Sequence, residues 1–255
     1  MTEHLIYGLH AVTALLHNTQ RHIKQIYINQ DRQDQRLLAL WDLIQIRAIP
    51  VVSLSAAKIT AKFPDLVHQG IVAVAAPLPA FHEKDLPTLL AATTKPPLIL
   101  ILDGVTDPHN LGACLRSADA AGVDCVIIPK DKSASITPVV SKVACGAAES
   151  VPVFRVTNLV RSMEVLKELG IWLYGAASET EQSLYQLSGQ SPIALVLGAE
   201  GEGLRRLTRE HCDGLFAIPM LGSVTSLNVS VATGVSLYEI VRQRGTGVIS
   251  KNPVK

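Results

Sequence analysis

Beyond residue 97 the chain repeats one pattern: short, continuously apolar runs at 98–102, 125–128, 151–154, 171–174, 193–197 and 215–218, with polar or helically spaced stretches between them. Runs this short and this apolar predict strands buried on both faces. Helical spacing at 110–121, at 159–169 and from residue 204 fills the gaps, so the pattern predicts a parallel sheet covered on both sides. Leu227, Val231, Val235 and Tyr238 then recur at helical spacing and predict a C-terminal helix that buries that face. The first part of the chain is different. Apolar segments at 25–28, 50–54 and 70–74 alternate with helical patterns at 11–16 and 37–46, which predicts a smaller α/β module. Pro77, Pro79, Pro87, Pro96 and Pro97 crowd the stretch between the two. Proline at that density disfavours continuous helix or central strand and predicts a semi-rigid connector. The fold class is therefore α/β, with a first domain over 1–76, a linker over 77–97 and a second domain over 98–255.

With 255 residues, 48% of them hydrophobic, the chain has enough apolar material for two cores. No apolar run approaches the roughly 20 residues that span a bilayer, and Met1-Thr2-Glu3-His4 lacks the start of a signal peptide, so a cytoplasmic protein is expected. Cys114, Cys125, Cys145 and Cys212 are widely spaced with no CxxC pair. That spacing suggests reduced, mostly buried thiols rather than a zinc site or a disulfide framework. The formal net charge is only +1, so any surface for nucleic-acid phosphates must be local.

Three polar loops following apolar runs are the candidate chemistry, because α/β proteins hold ligands at the carboxyl ends of their strands. In the first, Asp103 ends a strand, Pro108 breaks the turn, and Asn110 begins a helix that carries Arg116 six residues on. Asn110 there can cap the helix, or stand where free N–H groups attract phosphate or carboxylate. Arg116 has small or apolar neighbours in Ala113, Leu115, Ala118 and Ala120, so its guanidinium can face a cleft or simply solvate. The second loop places Gly198, Gly201 and Gly203 around Glu200 in the order GxxGxG. With neither GxGxxG nor GxxxxGK present, a classical dinucleotide fold is disfavoured. The third runs from Ile218 to the C-terminal helix, which Ser226 or Thr225 would cap, leaving Asn228 in its first turn.

Together the three loops resemble the signature motifs of the SpoU/TrmH family of SPOUT methyltransferases. The likeness extends over nearly the whole chain, through Ile6-Tyr7-Gly8-Leu9-His10-Ala11-Val12, His68-Gln69-Gly70-Ile71, Lys142-Val143-Ala144-Cys145-Gly146-Ala147-Ala148-Glu149 and Arg206-Leu207-Thr208-Arg209-Glu210-His211-Cys212. These segments are similar to the branch of the family that modifies 23S ribosomal RNA.

The resemblance implies methyl transfer from S-adenosyl-L-methionine to the ribose 2′-hydroxyl of a guanosine in the peptidyl-transferase loop of 23S ribosomal RNA, without a metal. It implies Asn110, Arg116, Glu200, Ser226 and Asn228 as catalytic residues, and Gly198, Ile218 and Leu227 as cofactor-binding residues acting mainly through backbone groups. It also implies a C-terminal trefoil knot, an L30e-like first domain that selects RNA with Tyr7, His10 and His68 as contact candidates, and a homodimer joined through the catalytic domains. The segment 229–237 has more small and apolar residues than one buried face requires, which agrees with such a dimer. A tRNA 2′-O-methyltransferase and a catalytically silent RNA-binding protein of the same fold are the alternatives. The extra first domain weighs against one, and the presence of Arg116, Glu200 and Asn228 against the other.

Overall fold

A computed structural model describes residues 3–32, 35–199 and 201–245. The first domain runs β1 (His4–Tyr7), α1 (Leu9–His17), β2 (Ile23–Asn29), α2 (Gln35–Ile46), β3 (Val51–Leu54), α3 (Ala56–Lys62) and β4 (Ile71–Ala75). Its four strands lie in the order β1-β4-β2-β3, mixed in direction, with β2 and β3 parallel. Strand β1 escaped the hydrophobic pattern because only two of its four residues are buried. Gly8, at φ +87°, turns the chain from β1 into α1, a conformation that favours glycine.

The proline-rich connector is not free of helix. A 3-10 turn at Glu83–Asp85 leads into α4 (Leu86–Ala91), whose Pro87 sits in the first turn, where a missing N–H costs no intrahelical bond. Leu86 and Leu90 are buried in the same core as Ile99, Ile101, Met163 and Leu166 of the second domain, and Phe81 forms a bridge to Phe154.

The second domain continues β5 (Leu98–Asp103), α5 (Pro108–Ala120), β6 (Cys125–Pro129), α6 (Pro138–Val143), α7 (Ala147–Ser150), β7 (Val153–Val156), α8 (Leu159–Glu168) and β8 (Trp172–Ala176). A 3-10 turn at Leu184–Gln186 precedes β9 (Ile193–Gly198), α9 (Arg206–Glu210), β10 (Gly214–Phe216) and α10 (Val229–Gln243). The six strands form one parallel sheet in the order β10-β8-β9-β5-β6-β7. Side chains alternate along β5: Leu98, Leu100 and Leu102 enter a core with α5 and α10, whereas Ile99 and Ile101 enter one with α4 and α8. Both faces of the sheet are therefore dry.

Helix α10 buries a different face from the one its apolar spacing suggested. Val229, Thr233, Ser236, Leu237 and Ile240 are buried, while Val231 is 50% and Tyr238 51% exposed. Small polar residues let α10 approach α5 closely, with Thr233 Oγ1 3.3 Å from Cys114 Sγ. At its far end, Arg244 donates to the carbonyls of Gly189 (2.7 Å), Pro96 (2.7 Å), Pro97 (3.1 Å) and Ser191 (3.0 Å).

The two domains meet through α1 and the α6–α7 corner. Arg21 Nε and Nη2 donate to Glu149 Oε2 and Oε1 at 3.0 and 3.1 Å, and Nη1 donates to the Ala76 carbonyl. The pair is buried, with 1% and 3% of the two side chains exposed. Gly146 sits so close to Ala14 that a Cβ at this position would overlap the alanine side chain. All four cysteines are free; Cys114 and Cys125 are buried, Cys145 and Cys212 half-buried. No helix among the described residues is long and apolar enough to cross a membrane.

Candidate active site

The three loops converge at the carboxyl end of the six-stranded sheet. Asp103, the last residue of β5, pairs in register with Gly198, the last of β9. A carboxylate terminating a wholly apolar strand needs a partner if it is buried. Asp103 finds one on the second loop: its Oδ2 accepts from the Arg205 backbone N–H at 3.0 Å, and Oδ1 lies 2.8 Å from Arg205 Nε, an ion contact without the alignment of a hydrogen bond. The acid ending the apolar run at 98–102 is the sequence signal for this junction; no local pattern around Arg205 marks it as the partner.

The first and third loops meet through two asparagines. Asp107, not Asn110, caps α5, accepting from the His109 N–H at 3.0 Å; Asn110 occupies the first turn. Asn228 caps α10 in place of Ser226 or Thr225, its Oδ1 accepting from the Ser230 N–H at 2.9 Å. Its Nδ2 in turn donates to Asn110 Oδ1 at 2.9 Å. Residues 118 apart in sequence thus hold two helix N-termini against each other, where unpaired N–H groups and the helix dipoles favour an anion or a developing negative charge.

The Arg116 side chain is exposed and makes no hydrogen bond or ion pair among the described residues. By ideal helix geometry its backbone lies about 9 Å along α5 from Asn110 and ~120° around the axis. Ser226 is exposed, Ile218 and Leu227 are half-buried, and Glu200 lies outside the described residues. Gly198 has a structural reason to be glycine, since a Cβ there would overlap the Gly203 carbonyl as the second loop folds back over β9. Between Ile218 and Leu227 no backbone N–H or carbonyl is hydrogen-bonded among the described residues. Such groups seek partners, and here they are available to a polar ligand.

In the first domain, Tyr7 is 5% exposed and packs beneath Lys142, whose Nζ is 5.2 Å from its ring. It therefore offers RNA no open ring face. His68 is committed to its own turn, Nδ1 accepting from the Gly70 N–H at 3.0 Å, while His10 is exposed. Burial, and then the Lys142 charge, holds His68 below the usual histidine range. Burial pushes the Cys125 and Cys212 thiols up to about 12, so neither is a nucleophile near neutral pH. No group of three or more His, Cys, Asp or Glu among the described residues could hold a metal ion.

A parallel sheet with three loops gathered at its carboxyl end defines an α/β protein of the ligand-binding type. Comparison makes the class specific. Residues 97–238 match the SpoU rRNA Methylase family, and residues 5–81 match the family described as RNA 2′-O ribose methyltransferase substrate binding. The chain belongs to the SpoU rRNA methylase family. It is 55% identical over 239 residues to the 23S rRNA (guanosine-2′-O-)-methyltransferase RlmB of Pseudomonas putida, covering 94% of this chain and 96% of that one. Against the enzyme of the same description from Escherichia coli K12 it is 54% identical over 240 residues, covering 94% and 98%. Among solved structures, the SpoU methyltransferase AviRb of Streptomyces viridochromogenes superposes with a TM-score of 0.79 at 25% identity, covering 96% of this chain and 91% of that one. AviRb is also known in complex with AdoMet, and that form shares the fold at a TM-score of 0.79 and 24% identity, covering 96% and 92%.

Proposed function

We propose that this protein transfers a methyl group from S-adenosyl-L-methionine to the ribose 2′-hydroxyl of a guanosine in 23S ribosomal RNA, within the peptidyl-transferase loop. The observation that carries the reading is the junction of the first and third loops through Asn110 and Asn228, beside a loop rich in unpaired backbone groups. The free N–H and carbonyl groups between Ile218 and Leu227 suit a cofactor with an adenine and an amino-acid end, and Gly198 keeps the adjoining loop close.

When bound, S-adenosylmethionine supplies a sulfonium-activated methyl group, so no metal is needed. The chain's task would be to hold the ribose 2′-hydroxyl toward the activated methyl while the hydroxyl proton passes to solvent. Arg116 stays protonated in proteins and is a poor base. Its role is to clamp the target phosphate and stabilise the forming 2′-oxyanion. Asn110, Asn228, Ser226 and Glu200 orient the ribose and the cofactor. Residues 1–76 select the RNA, residues 98–255 carry the chemistry, and the chain works in the cytoplasm.

Two copies pair through their catalytic domains. Support comes from Val231 and Tyr238, which share one exposed face of α10. The return of α10 onto α5, with Arg244 clasping the start of β5, supports a trefoil knot.

Mapping 2′-O-methyl sites in ribosomal and transfer RNA from cells with and without this protein tests the substrate. Loss of a guanosine methyl in 23S ribosomal RNA is expected; a change confined to transfer RNA refutes the reading. Arg116→Ala should nearly abolish methylation with cofactor affinity unchanged, and Arg116→Lys should rescue poorly because it loses the planar fork. Turnover by Arg116→Lys near the parental rate refutes the clamp. Sedimentation of a fully active monomer of 27.4 kDa refutes the dimer.

A further inference from the structure

We propose that a basic groove at the outer edge of the six-stranded sheet, between the connector and β7, binds the phosphate backbone of the RNA substrate. The inference rests on the ribosomal-RNA reading above and adds a binding surface that lies beside the first motif loop and uses none of its residues. Two adjoining hollows of about 470 and 520 Å³ share His82, Lys130 and Arg155. Lys84 and Arg161 complete the charged lining, against a single acid, Glu83. That acid is already engaged, accepting from Ser162 Oγ at 2.6 Å. Lys84, Lys130, Arg155 and Arg161 form no ion pair among the described residues. In a chain with 23 basic and 22 acidic residues, four unpaired cations in one groove are the kind of local footprint that phosphate binding requires.

The groove also adjoins the first motif loop. The register pairs Ile101 with Ile127 and Pro129 with Val156, so the ends of β5, β6 and β7 are level. At ~4.8 Å per strand, Lys130 follows the strand next to Asp103, and Thr157 lies roughly 10 Å across the sheet. The segment after Lys130 is tied to the first loop, since Ala134 N–H and Ser133 Oγ donate to the Val105 carbonyl at 2.8 and 3.2 Å. A strand leaving the methylation site along this edge therefore meets the cations in succession. Leu78, Pro79 and Phe81 give the groove an apolar wall against which sugar and base can lie, and His4 extends it to the first domain.

The test is titration of a fluorescein-labelled fragment of 23S ribosomal RNA against the full-length protein and its Arg155→Ala/Arg161→Ala and Lys130→Glu variants over a range of salt. Each single-strand phosphate contact contributes ~0.7 to the slope of log affinity against log salt, so the double variant should lower the slope by about 1.4 and weaken binding roughly tenfold or more. Cofactor affinity by calorimetry and the melting temperature should be unchanged. Unchanged RNA affinity and slope overturn the proposal, as does a fall in cofactor affinity or melting temperature that accounts for the RNA effect. A defect seen only on ribosomal particles, with naked RNA bound as tightly as before, overturns it in favour of a protein contact. A wild-type protein that leaves 23S ribosomal RNA unmethylated refutes the parent reading, while the titration judges the groove separately.

Discussion

Removing one partner of the Arg21–Glu149 pair should open the junction between the domains. In Glu149→Ala the guanidinium keeps only the Ala76 carbonyl, in a site that leaves 1% of its side chain exposed. Stranding a buried charge costs about 3–5 kcal/mol, comparable to the lower end of the ~5–15 kcal/mol that holds a whole domain folded. The cost should fall on the contact between the domains more than on either core, because Arg21 belongs to the first domain and Glu149 to α7 of the second. The chain has two tryptophans, Trp41 on α2 and Trp172 on β8, so urea transitions followed in Trp41→Phe and Trp172→Phe backgrounds report the two domains separately. The two transitions should coincide in the parent and separate in Glu149→Ala. Arg21→Met/Glu149→Leu removes both charges and should recover most of the loss, since well-packed apolar substitutes for a buried pair are often neutral. A cost under ~1 kcal/mol for Glu149→Ala, or a double variant no better than the single one, would refute the argument.

Other substitutions separate structure from chemistry. Asn228→Ala removes the α10 cap and should cost about 1 kcal/mol in thermal or urea melts, whereas Asn228→Asp keeps the cap but loses the donor to Asn110, so near-parental stability with depressed methylation is expected. Arg244→Ala should cost about 2 kcal/mol or more and raise hydrogen exchange at the end of α10, because several charge-assisted bonds to backbone carbonyls are lost. His4 and His68 are both held below the usual histidine range, chiefly by burial, so the unfolded chain takes up their protons first as pH falls. Their contribution to stability is present above pH ~6.5 and is lost as pH falls below it; melting temperatures from pH 8 to 5 should decline, and a His68→Gln variant should decline less.

The strands of the second domain were legible because a strand buried on both faces has no polar alternation to hide it, and all six apolar runs became strands. The face of α10 was not. The rule that apolar side chains lie inside runs one way only. At the tight crossing with α5 the buried positions go to Thr233 and Ser236, which leaves Val231 and Tyr238 outside. Proline density obscured α4 for a related reason, since a proline in a first helical turn carries no penalty. Within the site, Asn110 and Asn228 stood out only through family likeness. Their contact spans 118 residues, and no local pattern encodes a pairing of that length.

The Arg244 clasp also sets a schedule for biosynthesis. The arginine follows Pro96 by 148 residues. A ribosome extending the chain at ~5–20 residues per second delivers it roughly 7–30 s after the carbonyls it must grip. The first domain has all its strands by Ala75, while β5 waits in the nascent chain for β9 and then for α10. Until β9 is made, the central apolar strand has β6 on one side and an open edge on the other, and until α10 returns one face of it stays uncovered, which is the condition under which nascent chains aggregate. The burden of protecting the newborn protein therefore falls on its catalytic half, and a chain released before residue 244 would lack the contact that closes that half.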